Sequence, residues 1–388
     1  MIRICRWPEE RAAIAAAWRA IEASHATAPA HYRRFDWFES TARLSPPGSG
    51  QIAAIVVGRP DRPDAILGVR QSVGRLGIPR RLELLRDDHS VADWLIAHGA
   101  DPLRTVADLV QGLRARGRVG WDVLVLSKLP ADSGLLAGLR GLEDSGVVIA
   151  WTDHLHLIEL PENPELLTAH LSRKFRRNLR AGWRQLAALG GGTAVRTVGC
   201  DSPEFEGVLR RVAELESAGW KGRPGGEGIL TRPGGWERFA DRARTLAISG
   251  AARLHLLAAD RRLVAGQFCA LEGDTLYFFR TAYDEAFADA SPGHLLLQAV
   301  AEQVLRDGVR RIDCQSSATW LLPWRPVPAL LATAWVFRNR VAGRVAGWAH
   351  QVGGRFRAGE GCPCGAGRLA GSRPDPGRAR LHSDDRDA

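Results

Sequence analysis

The chain has 388 residues, of which 45% are hydrophobic and 25% charged, the balance of a globular protein with a full core. At roughly 100–200 residues per domain it predicts two or three domains, and it excludes a largely disordered chain or a disulfide-stapled miniprotein. The formal charge is +10, and among 53 basic residues only Lys128, Lys174 and Lys221 are lysine. That bias fits a GC-rich coding sequence better than nucleic-acid recognition, so the placement of the charge matters more than its size.

The opening MIRICRWPEERAAIAAAW puts Glu9, Glu10 and Arg11 where a signal peptide carries its apolar core. No stretch reaches the roughly 18–20 apolar residues of a membrane span, and a cytoplasmic protein is expected. Ile52–Val57 and Ile66–Val73 read as adjacent strands joined by the turn Gly58-Arg59-Pro60-Asp61. Leu103–Arg116 reads as a helix, and a strand follows Gly117 at Trp121–Ser127. His154 and His156 alternate with Leu155 and Leu157, which puts both imidazoles on one face of a strand. Two such ligands leave zinc underligated, and no metal is expected.

Residues Glu165–Leu189 carry Leu167, Leu171, Phe175, Leu179, Trp183 and Leu186 at spacings of three and four, one apolar stripe of a helix. Pro164 and Gly190-Gly191-Gly192 bound it. A helix of that length runs about 36 Å at 1.5 Å per residue, enough to bridge two halves. Its polar face holds Arg173, Lys174, Arg176, Arg177, Arg180 and Arg184, with no acid from Leu166 to Leu189.

In the second half, Glu214-Leu215-Glu216-Ser217 ends a helix, and Lys221 opens the Gly/Pro-rich loop Gly222–Gly228. Arg253–Ala259, Leu263–Leu271 and Thr275–Tyr283 form a meander whose turns, Asp260-Arg261 and Glu272-Gly273-Asp274, suit tight hairpins. A helix at Pro292–Arg306, Gly308 and a strand at Val309–Cys314 complete it. Hairpin strands, helix, glycine, strand: the order occurs twice, a weak internal repeat. Ser291 is placed as an N-cap and Pro292 as the first helical residue. Gly293 leaves the first turn bare, so its N–H groups can meet a phosphate or simply begin a well-capped helix. Arg325, Arg338, Arg340 and Arg344 form a second acid-free cluster, which with the six on the polar helix face matches the net charge. From Gly354 the chain is rich in Gly, Arg, Asp and Pro and reads as a disordered tail. Cys362 and Cys364 lie in it without the further ligands of a zinc site. There is no Gly-x-Ser-x-Gly elbow of a serine hydrolase.

Strand, phosphate-gripping turn, helix, strand resembles the core of the Gcn5-related N-acetyltransferase (GNAT) superfamily. The usual Arg/Gln-x-x-Gly-x-Gly/Ala turn is missing. SPGHLLLQAVAEQVLRDGVRRID instead resembles the CelD (cellulose biosynthesis) branch, which is similar to FemAB peptidyltransferases. The segments FDWFES, RDDHSVADWL, WDVLVLSKLP, FRRNLRAGWRQLAALGG, ELESAGWKGRPGGEGI and RLHLLAADRRLVAGQF match in order and spacing across most of residues 1–340. The resemblance implies an α/β protein of tandem GNAT-like domains, with mixed, mostly antiparallel sheets flanked by helices. Residues 1–150 would be a degenerate half, 151–353 the half that holds acyl-CoA and includes the bridging helix 165–189, and 354–388 the tail.

The implied activity is transfer from acetyl-CoA or another acyl-CoA to a small-molecule, glycan or envelope acceptor, with an anionic ligand near Arg173–Arg184, either the cofactor's 3′-phosphate or an anionic acceptor. Ser291, Gly293, His294 and Leu295 would hold the cofactor. For catalysis, Glu216 would serve as base against the reading of a solvated helix face, and Lys221 would bind a carboxylate or phosphate. Tyr283 would protonate the departing thiolate against the reading of a core aromatic, and Asp313 would orient the acceptor or satisfy a turn. Relatives follow that Asp with a Tyr-Lys pair; here CQSSATWLLPWRPVPALL has neither, which bears on acceptor choice and activity. Two alternatives stand beside this one. An aminoacyl-tRNA-dependent transferase would use the face Arg173–Arg184, but the only aromatics there, Phe175 and Trp183, lie on the apolar stripe, which speaks against nucleic acid. A noncatalytic scaffold would dock on anionic membrane through an interfacial helix containing Trp335, Phe337, Arg338–Arg344 and Trp348.

Overall fold

The computed structural model describes residues 1–73, 80–86, 91–115, 120–142, 145–226, 228–339 and 341. Met1–Arg344 forms one compact unit; the expected tail, 354–388, lies outside the described residues.

The first half runs β1 (Ile2–Arg6), α1 (Arg11–Glu22), α2 (Phe35–Arg43), β2 (Gln51–Arg59), β3 (Arg62–Val73), β4 (Arg80–Leu84), β5 (Leu95–Ile96), α3 (Pro102–Ala115), β6 (Val123–Pro130), α4 (Gly134–Arg140) and β7 (Val147–Glu159). After α5 (Arg173–Ala187) the second half runs β8 (Thr193–Gly199), α6 (Phe205–Ala218), α7 (Gly235–Ile248), β9 (Ala252–Ala259), β10 (Arg262–Glu272), β11 (Thr275–Tyr283), α8 (Pro292–Arg306), β12 (Arg311–Asp313) and β13 (Val327–Phe337). Apart from the two-residue β5, the order strand, two helices, three strands, helix, strand occurs in both halves. The repeat read from rhythm is therefore a repeat of topology.

One sheet carries both halves, in the order β1-β2-β3-β4-β6-β13-β7-β12-β11-β10-β9-β8, with β5 on β3. Each half contains one parallel pair, β4 with β6 and β11 with β12, and every other pairing is antiparallel. The last strands are exchanged: β13 lies beside β6 of the first half, and β7 lies beside β12 of the second. Each exchanged strand feeds the core it enters. Ala332, Ala334 and Val336 join the core of α3 and α4, and Ile158 joins that of α5 and α8.

Helix α8 follows from its apolar stripe: Leu296, Val300, Ala301 and Val304 are spaced by fours, one and three and are buried. Leu296, Val300 and Val304 each contribute about 1.5–3 kcal/mol when fully buried, and Ala301 less. The bridging helix is corrected. Pro164–Leu166 is one 3₁₀ turn capped by Asn163, and the α-helix starts only at Arg173, where Ser172 Oγ accepts the Phe175 N–H. The result is about 22 Å long and packs on α8 and the turn before it, within the second half. The interfacial helix is corrected as well. Trp335 and Phe337 lie in β13, paired on both sides with β6 and β7.

Candidate functional site

β11 and β12 pair over three residues, Thr275 with Arg311, Leu276 with Ile312 and Tyr277 with Asp313. β12 then ends while β11 continues to Tyr283, so two parallel strands part and leave a cleft at their carboxyl ends. The register of β11 against β10 breaks there. Phe268 faces Arg280 and Cys269 faces Phe278, which makes Phe279 an extra residue, a β-bulge. A bulge re-aims the side chains beyond it. Leu276 and Phe278 belong to the core under α8, and without the bulge Arg280 would follow them. Instead Arg280 reaches Glu216 of α6, while Thr281 and Tyr283 turn toward α8.

The N-terminus of α8 lies over this end of β11. Ser291 occupies the N-cap position at φ +54°, and its side chain caps nothing. The left-handed backbone leaves the capping to its carbonyl, which accepts the N–H of His294 at 2.9 Å and of Leu295 at 3.3 Å. The Gly293 N–H has no acceptor among the described residues. A Cβ on Gly293 would have Thr281 Cγ2 at 3.9 Å as its nearest neighbour, so the first turn is open toward the strand end. Such a terminus favours an anion through its N–H groups and the helix dipole. The Leu295 side chain is buried in the core. His294 is enclosed: its ring lies 5.0 Å from Phe175 and 5.3 Å from Trp320, and its Nδ1 accepts the Trp324 Nε1–H at 3.1 Å. Burial pushes its pKa down to about 4, so the imidazole is neutral at pH 7.

On the other face of the sheet, Lys221 and Glu216 come together. Lys221 Nζ donates to Glu216 Oε1 at 2.9 Å and to the Thr281 carbonyl at 3.0 Å. The buried Glu216 also accepts the Ile229 N–H at 3.0 Å and lies 3.5 Å from an Arg280 nitrogen. Both carboxylate oxygens of Glu216 are thus engaged, by Lys221 and by the Ile229 N–H, whereas the Lys221 side chain is 24% exposed. Glu285 ties the loop 219–229 from the β11–α8 connection, accepting the Trp220 N–H at 2.7 Å and pairing with Arg223. The tight path needs Gly222, where a Cβ would fall 1.7 Å from the Ser217 carbonyl oxygen.

Asp313 ends β12 opposite Tyr277, and its Oδ1 accepts the Gln315 N–H at 2.9 Å. Burial pushes its carboxyl up, and the first half's His31 and Tyr32 lie within its field. His31 is itself fixed, Nδ1 lying 2.9 Å from Glu272 Oε2, inside rings of Tyr32, Trp37, Tyr277 and Phe279. The predicted residues therefore lie along both faces of one strand end: Tyr283, Ser291 and Gly293 on the α8 face, Glu216 and Lys221 on the other, with Asp313 farther back, opposite Tyr277. Arg280 escaped the sequence reading, although an arginine inside the aromatic strand TLYFFRTAY is a signal of a buried carboxylate partner. The bulge that aims it leaves no mark in the sequence.

A family model described as an acetyltransferase (GNAT) domain matches residues 173–317. The fold is that of the GNAT acetyltransferases. FemX is 14% identical over 83% of this chain and 95% of its own, with a TM-score of 0.54. A conserved protein of unknown function from Bacteroides thetaiotaomicron is 12% identical over 83% and 97%, with a TM-score of 0.53. The C-terminal domain of a putative lysylphosphatidylglycerol synthetase from Agrobacterium fabrum is 11% identical over 82% and 94%, with a TM-score of 0.50. No curated protein matches the sequence. Among the described residues no helix is long and apolar enough to cross a membrane.

Proposed function

We propose that the chain is an acyl-CoA-dependent N- or O-acyltransferase of the CelD type, acting on an envelope, polysaccharide or small-molecule acceptor. The observation that carries this reading is the parting of β11 and β12 beneath the open first turn of α8. The donor's diphosphate would meet the Gly293 N–H beside Thr281, and its pantetheine arm would run back between the parting strands and carry the thioester toward the bulge at Phe279 and Asp313. The acceptor enters from the opposite face, where the raised carboxyl of Asp313 suits a base that takes the proton from an attacking amine or hydroxyl. Lys221 faces the charge that develops on the carbonyl oxygen, and Glu216 positions Lys221 rather than acting as base. As the new C–N or C–O bond forms and the C–S bond breaks, the proton that Asp313 takes from the acceptor passes to the departing thiolate, while Tyr283, two residues beyond Thr281, would border the donor's diphosphate.

Titration calorimetry with acetyl-CoA and longer acyl-CoAs, joined to thiol release against amine and sugar acceptors, tests the reading. Binding at sub-millimolar concentration is expected, and a Gly293→Val variant should lose it while keeping the fold. Absence of binding by every acyl-CoA would refute the proposal. A second reading, an aminoacyl-tRNA donor, is favoured by the six cations of α5, which form no ion pair among the described residues. It predicts a tRNA mobility shift that weakens steeply with salt.

A further inference from the structure

We infer that the first half carries a binding site for a single-chain anionic amphiphile, a fatty carboxylate, on the sheet face opposite α3 and α4. A groove of about 620 Å³ lies there, within the roughly 300–1,000 Å³ of small-molecule sites. Its floor follows from strand alternation. Ala332, Ala334 and Val336 of β13 point into the core of α3 and α4, so Trp335 and Phe337 point to the other face. They stand in register opposite Val125 and Val123 of β6, and these four side chains line the groove. Helices α1 and α2 cover the same face over β2 and β3, where Ile52, Ala54, Val56 and Ile66 are buried, while Trp335 and Phe337 remain half-buried. The parallel pair β4–β6 is the counterpart of β11–β12: Leu82 and Leu124 enter the helix-side core as Leu276 and Ile312 do. Val125 thus stands where Asp313 stands in the second half. The first half has apolar surface at the place where the second has its acid, and it can hold a ligand there without reacting with it.

The charge around this floor is positive. Arg81 of β4 is the register partner of Val123, Arg338 follows Phe337, and both line the groove. Arg81 lies 4.0 Å from Glu83, and Arg338 makes no ion pair among the described residues. Asp122, the one acid among the described lining residues, is taken by Arg80, whose backbone N–H and guanidinium it accepts at 2.7 and 3.0 Å. Two guanidinium groups beside an apolar floor match one carboxylate at the end of a hydrocarbon chain. The indole and phenyl rings add broad apolar area at little cost in side-chain freedom. The protein's own sequence beyond Asn339 is a poor match, because it carries Arg340, Arg344, Arg355 and Arg357 and no acid before Glu360. Like charges disfavour it beside Arg81 and Arg338.

Titration calorimetry of the full chain with decanoate and with decanol, both dissolved as monomers, tests the site. Decanoate should bind at sub-millimolar concentration, and decanol about tenfold more weakly, the scale of one charge-assisted hydrogen bond. The Arg81→Ala/Arg338→Ala variant should lose that difference, and Val125→Phe, which fills the floor, should weaken both ligands. Acetyl-CoA binding should be the same in all three proteins. No decanoate binding, equal binding of the two ligands by the unaltered protein, or a double variant that keeps the difference overturns the inference and leaves the acyltransferase reading standing. A dimer that Val125→Phe dissociates, without decanoate binding, assigns the groove to a second copy of the chain. Binding to phosphatidylglycerol vesicles that the double variant loses, without binding of free decanoate, assigns it to a membrane surface. Decanoate bound by a chain ending at Arg344 but not by the full chain assigns it to the protein's own C-terminal segment. Each of these three results also overturns the inference.

Discussion

Glu216 and Lys221 show how one pair of residues divides its labour. On the proposed reading the buried carboxylate, which accepts from Lys221 and a backbone N–H and lies against Arg280, positions the loop, and the partly exposed ammonium acts on the substrate. Lys221→Ala is therefore expected to lower kcat by about 100-fold, the cost of removing one preorganised group that stabilises an oxyanion. Glu216→Gln, which keeps an acceptor for Ile229, should reduce kcat less and raise susceptibility to urea. A Lys221→Ala enzyme with unaltered kcat would remove Lys221 from the chemistry. The buried histidines bring a separate dependence on pH. Burial holds His255 and His294 at about 4, below the ordinary 6.5. Between these values the unfolded chain binds protons that the folded chain refuses. Their contribution to stability is complete above pH 6.5 and is lost as the pH falls toward 4, at about 1.4 kcal/mol per pH unit for each group. Urea unfolding of His255→Asn should accordingly show a shallower loss of stability from pH 6.5 to 5 than the unaltered protein. Parallel pH profiles would exclude the effect.

The elements divide into those that the sequence marks and those that the fold imposes. The meander and α8 were legible because alternation, hairpin turns and a Pro-Gly start act locally; Pro292–Arg306 is the helix in both readings. The α5 stripe misled because Leu167 and Leu171 are buried as firmly as Phe175 and Leu179, although they lie outside the α-helix. Spacing records burial, while the start of the helix was set by Ser172, one polar residue in an otherwise continuous pattern. β13 was missed for the opposite reason. In VPALLATAWVF the consecutive Leu331, Ala332, Thr333 and Ala334 are all buried, so both faces are covered there and the alternation that identifies a half-exposed strand is lost. At the site, Gly293 and Lys221 were readable as an open turn and a loop cation. The partition of these residues between two faces of the sheet was not, because it depends on the bulge at Phe279 and on pairing across distant segments.

At the scale of the molecule, duplication and exchange act together. The first half closes its core with a strand from residues 327–337, and the second uses one from 147–159. Neither half owns a complete sheet. A chain ending at Arg344 keeps the compact unit whole and is expected to unfold in one cooperative transition. A chain ending at residue 326 loses β13, which exposes the edges of β6 and β7 together, and it should be recovered as aggregate. Cooperative unfolding of that shorter chain would show that the exchange is dispensable.

The exchange also fixes when this protein can fold during its synthesis. Domains usually fold one after another as they leave the ribosome, and a duplicated chain would seem suited to that order. Here the first half, though made first, waits for residues 327–337, with the edges of β6 and β7 unpaired for most of that interval. Nascent chains therefore pass through a long stage open to pairing with one another, and the yield of native protein should depend on how fast β13 emerges.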